Sequence, residues 1–246
     1  MKILVCISCV PDTTSKIVID PATSQISSQG LTFIVGPYDD YALSRAIELK
    51  ESHSAELVVL HVGGPESEPL IRKCLALGAD SAVRIDGNPI SSNQIATAIV
   101  NYVKSNPVDL ILMGKESIDY NSGNVHGLVA GALGYVHFNP VMHLDMTTDG
   151  LKLEVEIDGG KMEVSCSLPA VLGCQEPIAE WKIPSAFKLC YTPQGNYIIN
   201  DFYLSNHLTY HRMKLNIDMF NELNLKDTII NGILEAEKRA KELSKS

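Results

Sequence analysis

Residues 108–134, VDLILMGKESIDYNSGNVHGLVAGALG, decide the fold of this chain. The stretch opens with a short apolar run of strand length that is bounded by Pro107 and Gly114. A polar loop rich in Gly, Ser and Asn follows, and apolar residues then recur at the spacing of a helix: Val125, Leu128, Val129, Ala132 and Leu133. In α/β proteins, a strand, such a turn and a helix can present backbone N–H groups to a phosphate. Because many turns of this kind bind nothing, the loop alone is a weak signal for a phosphate site.

Length, composition and charge exclude several classes of protein. The 246 residues suffice for one large domain, alone or with an appendage, and 45% hydrophobic with 20% charged residues is typical of a soluble globular protein. No uninterrupted apolar window of about 18 residues predicts a membrane span, and the N-terminus does not read as a signal peptide, so we expect a cytoplasmic protein without membrane insertion. The net charge of −9 argues against general affinity for nucleic acid or for anionic membranes.

Two of the six cysteines, Cys6 and Cys9, form a C-x-x-C motif. A redox or zinc motif of this type needs both sulfurs on one side of a turn or helix start. We expect residues 2–9 to form one strand, in which side chains three apart point to opposite faces. The motif is therefore interpreted as structural, and all six cysteines as reduced thiols.

Up to residue 134 the pattern alternates between strand and helix. This rhythm predicts a right-handed, doubly wound and mostly parallel sheet of the α/β class. One interruption is expected, a short hairpin that pairs residues 16–20 with residues 31–35. After residue 134, the turn Asp158-Gly159-Gly160-Lys161 between residues 151–157 and 162–168 predicts a β-hairpin.

The end of the chain loses the α/β rhythm. From Gln175 onward it reads as an extended arm, and residues 225–243 predict a helix with a narrow apolar stripe that fits packing on a partner or across the domain surface. We therefore predict an α/β domain over residues 1–185 and a C-terminal extension, arm plus helix, over residues 186–246.

Catalytic motifs are missing from the sequence. It has no nucleophile elbow, no H-E-x-x-H motif and no Walker A loop, so we predict a binding protein and not an enzyme. His126 is the one histidine in the candidate loop, with a solvated or core role as the default. Four segments follow strands or start helices at one sheet edge, where ligands bind in such folds: residues 9–13, 36–39, 63–64 and 114–127.

Six segments, in order, resemble the beta subunit of electron transfer flavoprotein over roughly residues 1–185. They are MKILVCISCVPDT, GPYDDYALSRAIELKE, LIRKCLALGADSAVRI, DLILMGKESIDYNSGNVHG, VEIDGGKMEVSCSLPAVLG and QEPIAEWKIPS. The resemblance implies an adenine nucleotide alpha hydrolase-like fold, related to universal stress proteins. It also implies a heterodimer with an alpha subunit that holds the electron-carrying FAD, and a beta-subunit pocket that holds AMP or, in electron-bifurcating members, a second FAD.

Carried over residue by residue, the resemblance implies a set of cofactor-binding residues. They are Cys6, Asp12, Thr13, Gly36, Pro37, Tyr38, Asp39, Gly63, Asp119, Ser122, Gly123, Asn124, Val125, His126 and Gly127. Thr13 and Tyr38 fall where family members approach the flavin of the partner subunit. Residues 10–13 and Val125 resemble the bifurcating type more than the AMP type, whose loop usually reads D-x-N-Q-T-G-Q. We therefore expect FAD, with AMP as the alternative occupant.

The chain departs from the family pattern at identifiable positions. Asn is usual where Gly36 stands, and a small residue or Pro is common where His126 stands, so His126 would either bond a phosphate or crowd it. Ile183 stands at the Leu that inserts into partner dehydrogenases, and Pro184 matches the family. The basic run that usually follows is replaced at residues 187–193, in the segment with which family members dock an acyl-CoA or other dehydrogenase partner.

Two other classes of function compete with that of an electron-carrier subunit. A stand-alone, adenine-nucleotide-binding regulatory protein of the universal-stress type is the alternative, and the altered docking segment is its motive. A hydrolytic enzyme on the related fold is disfavoured because the S-G-G-x-D-S loop of ATP pyrophosphatases is missing.

Overall fold

The computed structural model describes residues 1–21, 25–27, 30–183 and 197–200. The strands are β1 (Lys2–Cys6), β2 (Cys9–Pro11), β3 (Ile19–Asp20), β4 (Gln25–Ile26), β5 (Phe33–Val35), β6 (Glu56–Val62), β7 (Ser81–Ile85), β8 (Leu110–Gly114), β9 (Val136–Thr147), β10 (Gly150–Ile157), β11 (Gly160–Cys166), β12 (Ala170–Cys174) and β13 (Tyr197–Asn200). The helices are α1 (Pro37–His53), α2 (Glu68–Leu77), α3 (Ser92–Ser105) and α4 (Val125–Leu133), and Pro65–Ser67 forms a 3-10 turn before α2.

Among the described residues, nine strands form the main sheet, in the order β11-β10-β9-β12-β8-β1-β6-β7-β13. From β9 to β13 every neighbouring pair is parallel, and β9, β10 and β11 add an antiparallel edge. The hairpin between β10 and β11 closes through the pair Ile157 and Gly160, around the predicted turn. The mostly parallel α/β fold with a hairpin is therefore confirmed.

The order of the strands creates a reversal at the centre of the sheet. After β1 the chain adds β6 and β7 on one side and then crosses to place β8 on the other side. In open α/β sheets, ligands bind outside the carboxyl ends of the strands at such a switch point. The ends of β1 and β8 are therefore the place to look for a site.

The central strands are buried on both faces, as parallel sheets require. Ile3 and Val5 of β1 belong to one apolar cluster with Leu43 and Ile47 of α1, on one face of the sheet. Leu4, which points the other way, is also fully buried, and α3 packs against α4. Strands this thoroughly covered give the site a rigid floor.

The first strand is shorter than expected. Residues 2–9 do not form one strand, because β1 ends at Cys6 and Cys9 begins β2, which pairs with β5 in a separate two-stranded sheet. The two cysteines of the C-x-x-C motif thus lie on different strands, and both are free thiols. Burial raises the pKa of Cys6 and raises that of Cys9 to about 11, which disfavours a reactive thiolate at either position.

The hairpin expected between residues 16–20 and 31–35 is wrong in its pairing. Ile19 pairs with Ile26 in the short β3–β4 hairpin, whereas Ile34 of β5 pairs with Val10. The extended segments were recognisable from their composition, but the partner of β5 is set by long-range pairing, which continues where Asp12 N–H donates to the Thr32 carbonyl.

The sequence did not predict strand β9.

Several predictions concern residues that lie outside the described ranges. Pro184, the arm beyond residue 185 apart from β13, and the helix over residues 225–243 lie outside the described residues. The domain boundary at residue 185 stays a prediction. In the described part of the chain, no helix has the length and apolarity needed to cross a membrane.

Candidate functional site

A cavity of about 350 Å³ lies at the carboxyl edge of the sheet, where β1, β6 and β8 end. Its walls come from the segments after these three strands, together with the starts of α1, α3 and α4. The predicted site residues that line it are Cys6, Asp39, Gly63, Asp119, Ser122, Gly123, Asn124, Val125 and His126. The topology thus brings nine of the fifteen predicted residues around one cavity.

The remaining six predicted residues do not line this cavity in the described structure. They are Asp12, Thr13, Gly36, Pro37, Tyr38 and Gly127. Thr13 is exposed, and Asp12 accepts hydrogen bonds from the N–H and hydroxyl of Thr14, which lower the pKa of its carboxyl. Gly127 lines an adjoining, more open hollow of about 560 Å³, which it shares with His126. All fifteen residues remain predictions as cofactor-binding residues.

Asp39 joins three segments at the floor of the cavity. It is 5% exposed and lies in the first turn of α1. One carboxylate oxygen accepts hydrogen bonds from the backbone N–H (2.8 Å) and the hydroxyl of Ser8, and the other accepts from Gly114 N–H at 2.8 Å. Burial raises the pKa of Asp39 to about 6, although these three donors favour the charged form. Asp39 therefore fixes the end of β8 and the segment after β1 against α1.

Two glycines leave room for this carboxylate. A Cβ atom at Gly114 would lie 2.7 Å from Asp39 Oδ1 and 2.9 Å from the Asp39 backbone nitrogen. A Cβ atom at Gly36 would overlap the hydroxyl of Ser8 and the carboxylate of Asp39. The family departure at Gly36 thus has a local cause, because the Ser8 hydroxyl occupies the space into which a side chain at residue 36 would extend.

The loop over residues 115–124 is tied to the sheet at its start and turns sharply at its end. Lys115 N–H donates to the carbonyl of Cys174 at 2.9 Å, and the Lys115 ammonium lies 4.8 Å from the centre of the Tyr38 ring. Asn121 and Gly123 both adopt left-handed backbone conformations, with φ of 48° and 55°. These turns direct the loop back over the cavity before α4 begins.

The first turn of α4 faces the cavity with free donors. Asn124 is the N-cap residue, and within the described residues its side chain makes no capping hydrogen bond. The first N–H groups of a helix have no partner inside the helix, and they carry the positive end of its dipole. The amide of Asn124 and the N–H groups that follow are therefore suited to an anionic group.

His126 is held inside the protein by both of its ring nitrogens. Nε2 lies 2.8 Å from the Lys115 carbonyl and Nδ1 lies 2.9 Å from Nε2 of His137. Because a carbonyl can only accept, Nε2 of His126 carries the proton, and Nδ1 accepts from His137. His126 would have to give up one of these bonds to reach a ligand with its side chain.

We expect this pair to make stability fall in acid. Burial lowers the pKa values of His126 and His137 below the ordinary 6.5, so on acidification the unfolded chain binds protons first. The contribution of the two neutral histidines to the free energy of unfolding is fully present above about pH 6.5. It is lost as the pH falls toward the lowered pKa values. In urea unfolding between pH 7 and pH 5, the free energy of unfolding of His126→Gln should fall less than that of the wild type.

The matched control for the histidine pair is His53→Gln, at an exposed position on α1. This variant should follow the wild-type dependence on pH. Equal pH dependence in the wild type and His126→Gln would show that the pair does not titrate as described.

His61 is a cavity residue that the sequence did not single out. It is 7% exposed in β6, and its Nδ1 lies 2.9 Å from the carbonyl of Ile7. The next turn is held by Arg84, which is buried and donates to the Gly63 carbonyl at 2.8 Å. Its position in the sequence could have indicated a site residue, because His61 precedes the carboxyl end of a parallel strand by one residue.

No group of three or more His, Cys, Asp or Glu side chains among the described residues is placed to hold a metal ion. The fold and the cavity define a doubly wound α/β protein with a ligand-sized site at the switch point of its sheet.

Comparison with known proteins agrees with this class. Residues 23–186 match the family model for the electron transfer flavoprotein domain. The electron transfer flavoprotein subunit beta of Bacillus subtilis is 33% identical over 71% of this chain and 68% of its own length. Protein FixA of Azotobacter vinelandii is 31% identical over 74% of this chain and 68% of its own length. The electron transfer flavoprotein subunit beta of Syntrophomonas wolfei is 33% identical over 75% of this chain and 73% of its own length.

The chain therefore belongs to the electron transfer flavoprotein family, on its beta-subunit side. Members of this family are electron-transfer proteins and not catalytic enzymes, which agrees with the prediction made from the missing catalytic motifs.

Proposed function

We propose that the chain is a beta subunit that holds an adenine nucleotide, FAD or AMP, in the cavity at the switch point. With an alpha subunit it would pass electrons between dehydrogenases and an acceptor. The observation that carries the proposal is the convergence of nine predicted residues on one cavity of about 350 Å³.

Each end of the cavity suits a different part of a nucleotide. The loop after β8 and the first turn of α4 offer N–H groups, the Asn124 amide and a positive helix end to a phosphate. Cys6 and Val62, at the ends of β1 and β6, offer an apolar wall to a base. The Asp39 carboxylate accepts hydrogen bonds from Ser8, which follows β1, and from Gly114 at the end of β8. It therefore holds the two ends of the cavity in fixed positions relative to each other.

The size of the cavity bears on the choice between AMP and FAD. Sites that enclose small ligands commonly measure about 300–1,000 Å³, and this cavity is near the lower bound. It suits a mononucleotide or the adenosine half of a dinucleotide, so the flavin half of FAD would extend beyond it. The preference for FAD drawn from residues 10–13 and Val125 is compatible with this arrangement.

The exposed segment after β12 supports the proposed docking role. The Trp181 indole N–H donates to Asp40 on α1 at 3.0 Å, and the Lys73 ammonium of α2 lies 5.8 Å from the Trp181 ring centre. Two residues later Ile183 is 74% exposed. Because the Trp181 indole is held by these contacts, the chain leading to the exposed Ile183 side chain is anchored to the domain. Such an apolar side chain suits insertion into a partner, an acyl-CoA dehydrogenase or another dehydrogenase. Docking by Ile183 and Pro184 is proposed on this basis, and a cytoplasmic location remains a prediction.

Co-expression of the full chain with an electron transfer flavoprotein alpha subunit tests the proposal. We expect a yellow complex with flavin absorption, and mass spectrometry of the extracted ligands should detect FAD, with AMP in addition if AMP fills the cavity. Asn124→Ala should weaken retention of the cavity nucleotide about tenfold, because it removes a polar contact to the phosphate. Asn101→Ala, on α3 away from the cavity, is the control.

Two results would reject the proposal. One is a colourless chain that forms no complex and carries no nucleotide. The other is a chain without flavin affinity whose melting temperature rises with added AMP or ATP, which would favour the regulatory protein of universal-stress type.

A further inference from the structure

The side chain of His61 has a defined protonation state. Its Nδ1 lies 2.9 Å from the Ile7 carbonyl, which can only accept a hydrogen bond, so Nδ1 carries a proton. Burial lowers the pKa of His61, which keeps the imidazole neutral near pH 7. In a neutral imidazole with its proton on Nδ1, the other nitrogen, Nε2, is a hydrogen-bond acceptor.

This acceptor is open to the cavity. No described residue donates to Nε2, and the atom is not among the fully buried polar atoms that lack a partner. His61 lines the cavity while the rest of its surface is covered. Gly63 makes the position possible, because a Cβ atom at residue 63 would overlap Nε2.

The surroundings of His61 suit an uncharged base better than a phosphate. His61 lies beside Ile7, an apolar residue that also lines the cavity, and the nearby acid Glu66 lines it too and would repel an anion. The loop that suits a phosphate follows β8, and β1 separates β8 from β6. Two strand spacings, about 10 Å, therefore lie between the phosphate end and the base end.

We propose that His61 Nε2 accepts a hydrogen bond from the 6-amino group of adenine and so selects 6-aminopurine over 6-oxopurine nucleotides. This inference rests on the proposed nucleotide-binding function and assigns a specificity role within that site. A 6-oxopurine would place a carbonyl oxygen against the lone pair of Nε2, which leaves two buried acceptors without a donor between them.

The test uses the full chain in complex with its alpha subunit, stripped of cavity nucleotide, and titrates AMP and IMP by calorimetry. The wild type should bind AMP at least about tenfold more tightly than IMP. His61→Ala should bind AMP more weakly and bring the ratio of the two affinities close to one. His53→Ala, at an exposed histidine, should keep the wild-type ratio.

A second variant guards against a folding defect in His61→Ala, whose Ile7 carbonyl loses its donor. Gly63→Ala keeps His61 but pushes its ring aside, and it should lose the preference for AMP to a similar degree. Adding His61→Ala to Gly63→Ala should change the ratio little further.

Two outcomes would overturn the inference in different ways. AMP binding with an unchanged ratio in both His61→Ala and Gly63→Ala would reject His61 as the reader of the base and leave the nucleotide site standing. A wild-type complex that binds neither AMP nor IMP would reject the nucleotide site together with the role of His61.

Discussion

Asp39→Ala is expected to lower the free energy of unfolding by about 3 kcal/mol. The carboxylate is 5% exposed and accepts hydrogen bonds from Ser8 and Gly114, so its removal leaves two backbone N–H donors without an acceptor. Each donor stranded away from water costs about 1–3 kcal/mol. Urea unfolding with one linear extrapolation for each variant measures the loss.

Two further variants of α1 make this expectation specific. Glu51→Ala removes an exposed acid near the end of the same helix and should change stability by no more than about 0.5 kcal/mol. Asp39→Asn keeps the shape but turns an amide N–H₂ toward a donor, so an intermediate loss is expected. A loss below about 1 kcal/mol in Asp39→Ala would mean that Asp39 does not hold the three segments together.

The parallel core was readable from the sequence because its strands are buried on both faces. The continuous apolar runs of β6 and β8 need a layer of helices on each face of the sheet to shield both faces from water. Strand β9 was not predicted because it lacks such a continuous apolar run. Most of its residues are half-buried or exposed, with Val141 and Leu144 as the buried ones, and it carries His137, Asn139 and His143. Its place is set by long-range pairing with β12 on one side and β10 on the other.

The pairing error in residues 15–35 has the same origin. Local composition marked the extended segments, but Phe33 pairs with Pro11 across more than twenty residues of chain. A hairpin turn fixes pairing locally, as at Asp158-Gly159, and where no tight turn intervenes the partner is a tertiary choice.

In the candidate site, position in the fold could be anticipated and the role of individual side chains could not. Asp39 was expected among the cofactor residues because of its place after Gly36-Pro37-Tyr38, yet both of its oxygens are occupied by the protein. His61 was passed over because one histidine at a strand end looks like any core histidine. What distinguishes it is the Ile7 carbonyl, which comes near only in the folded sheet.

Gly123→Val is expected to weaken AMP binding at least about tenfold and to cost about 1–2 kcal/mol of stability. One reason is that a backbone that closely approaches a phosphate leaves no room for a side chain. The structure adds a second reason, since Gly123 has φ of 55° and a β-branched residue is strained there. Space is not the obstacle within the protein, because a Cβ atom at residue 123 would lie 3.5 Å from the Lys115 carbonyl.

The loop offers a way to separate conformation from bulk. Gly123→Asn should retain most of the AMP affinity, because Asn tolerates the left-handed region and Asn121 already adopts it two residues earlier. Gly131→Val, in open space on the exposed side of α4, is the matched control for added volume. If Gly123→Val retained full AMP affinity by calorimetry, the loop could not be the phosphate end of the cavity. If Gly123→Asn failed as badly as Gly123→Val, close approach of the backbone to the ligand would outweigh strain as the reason for glycine.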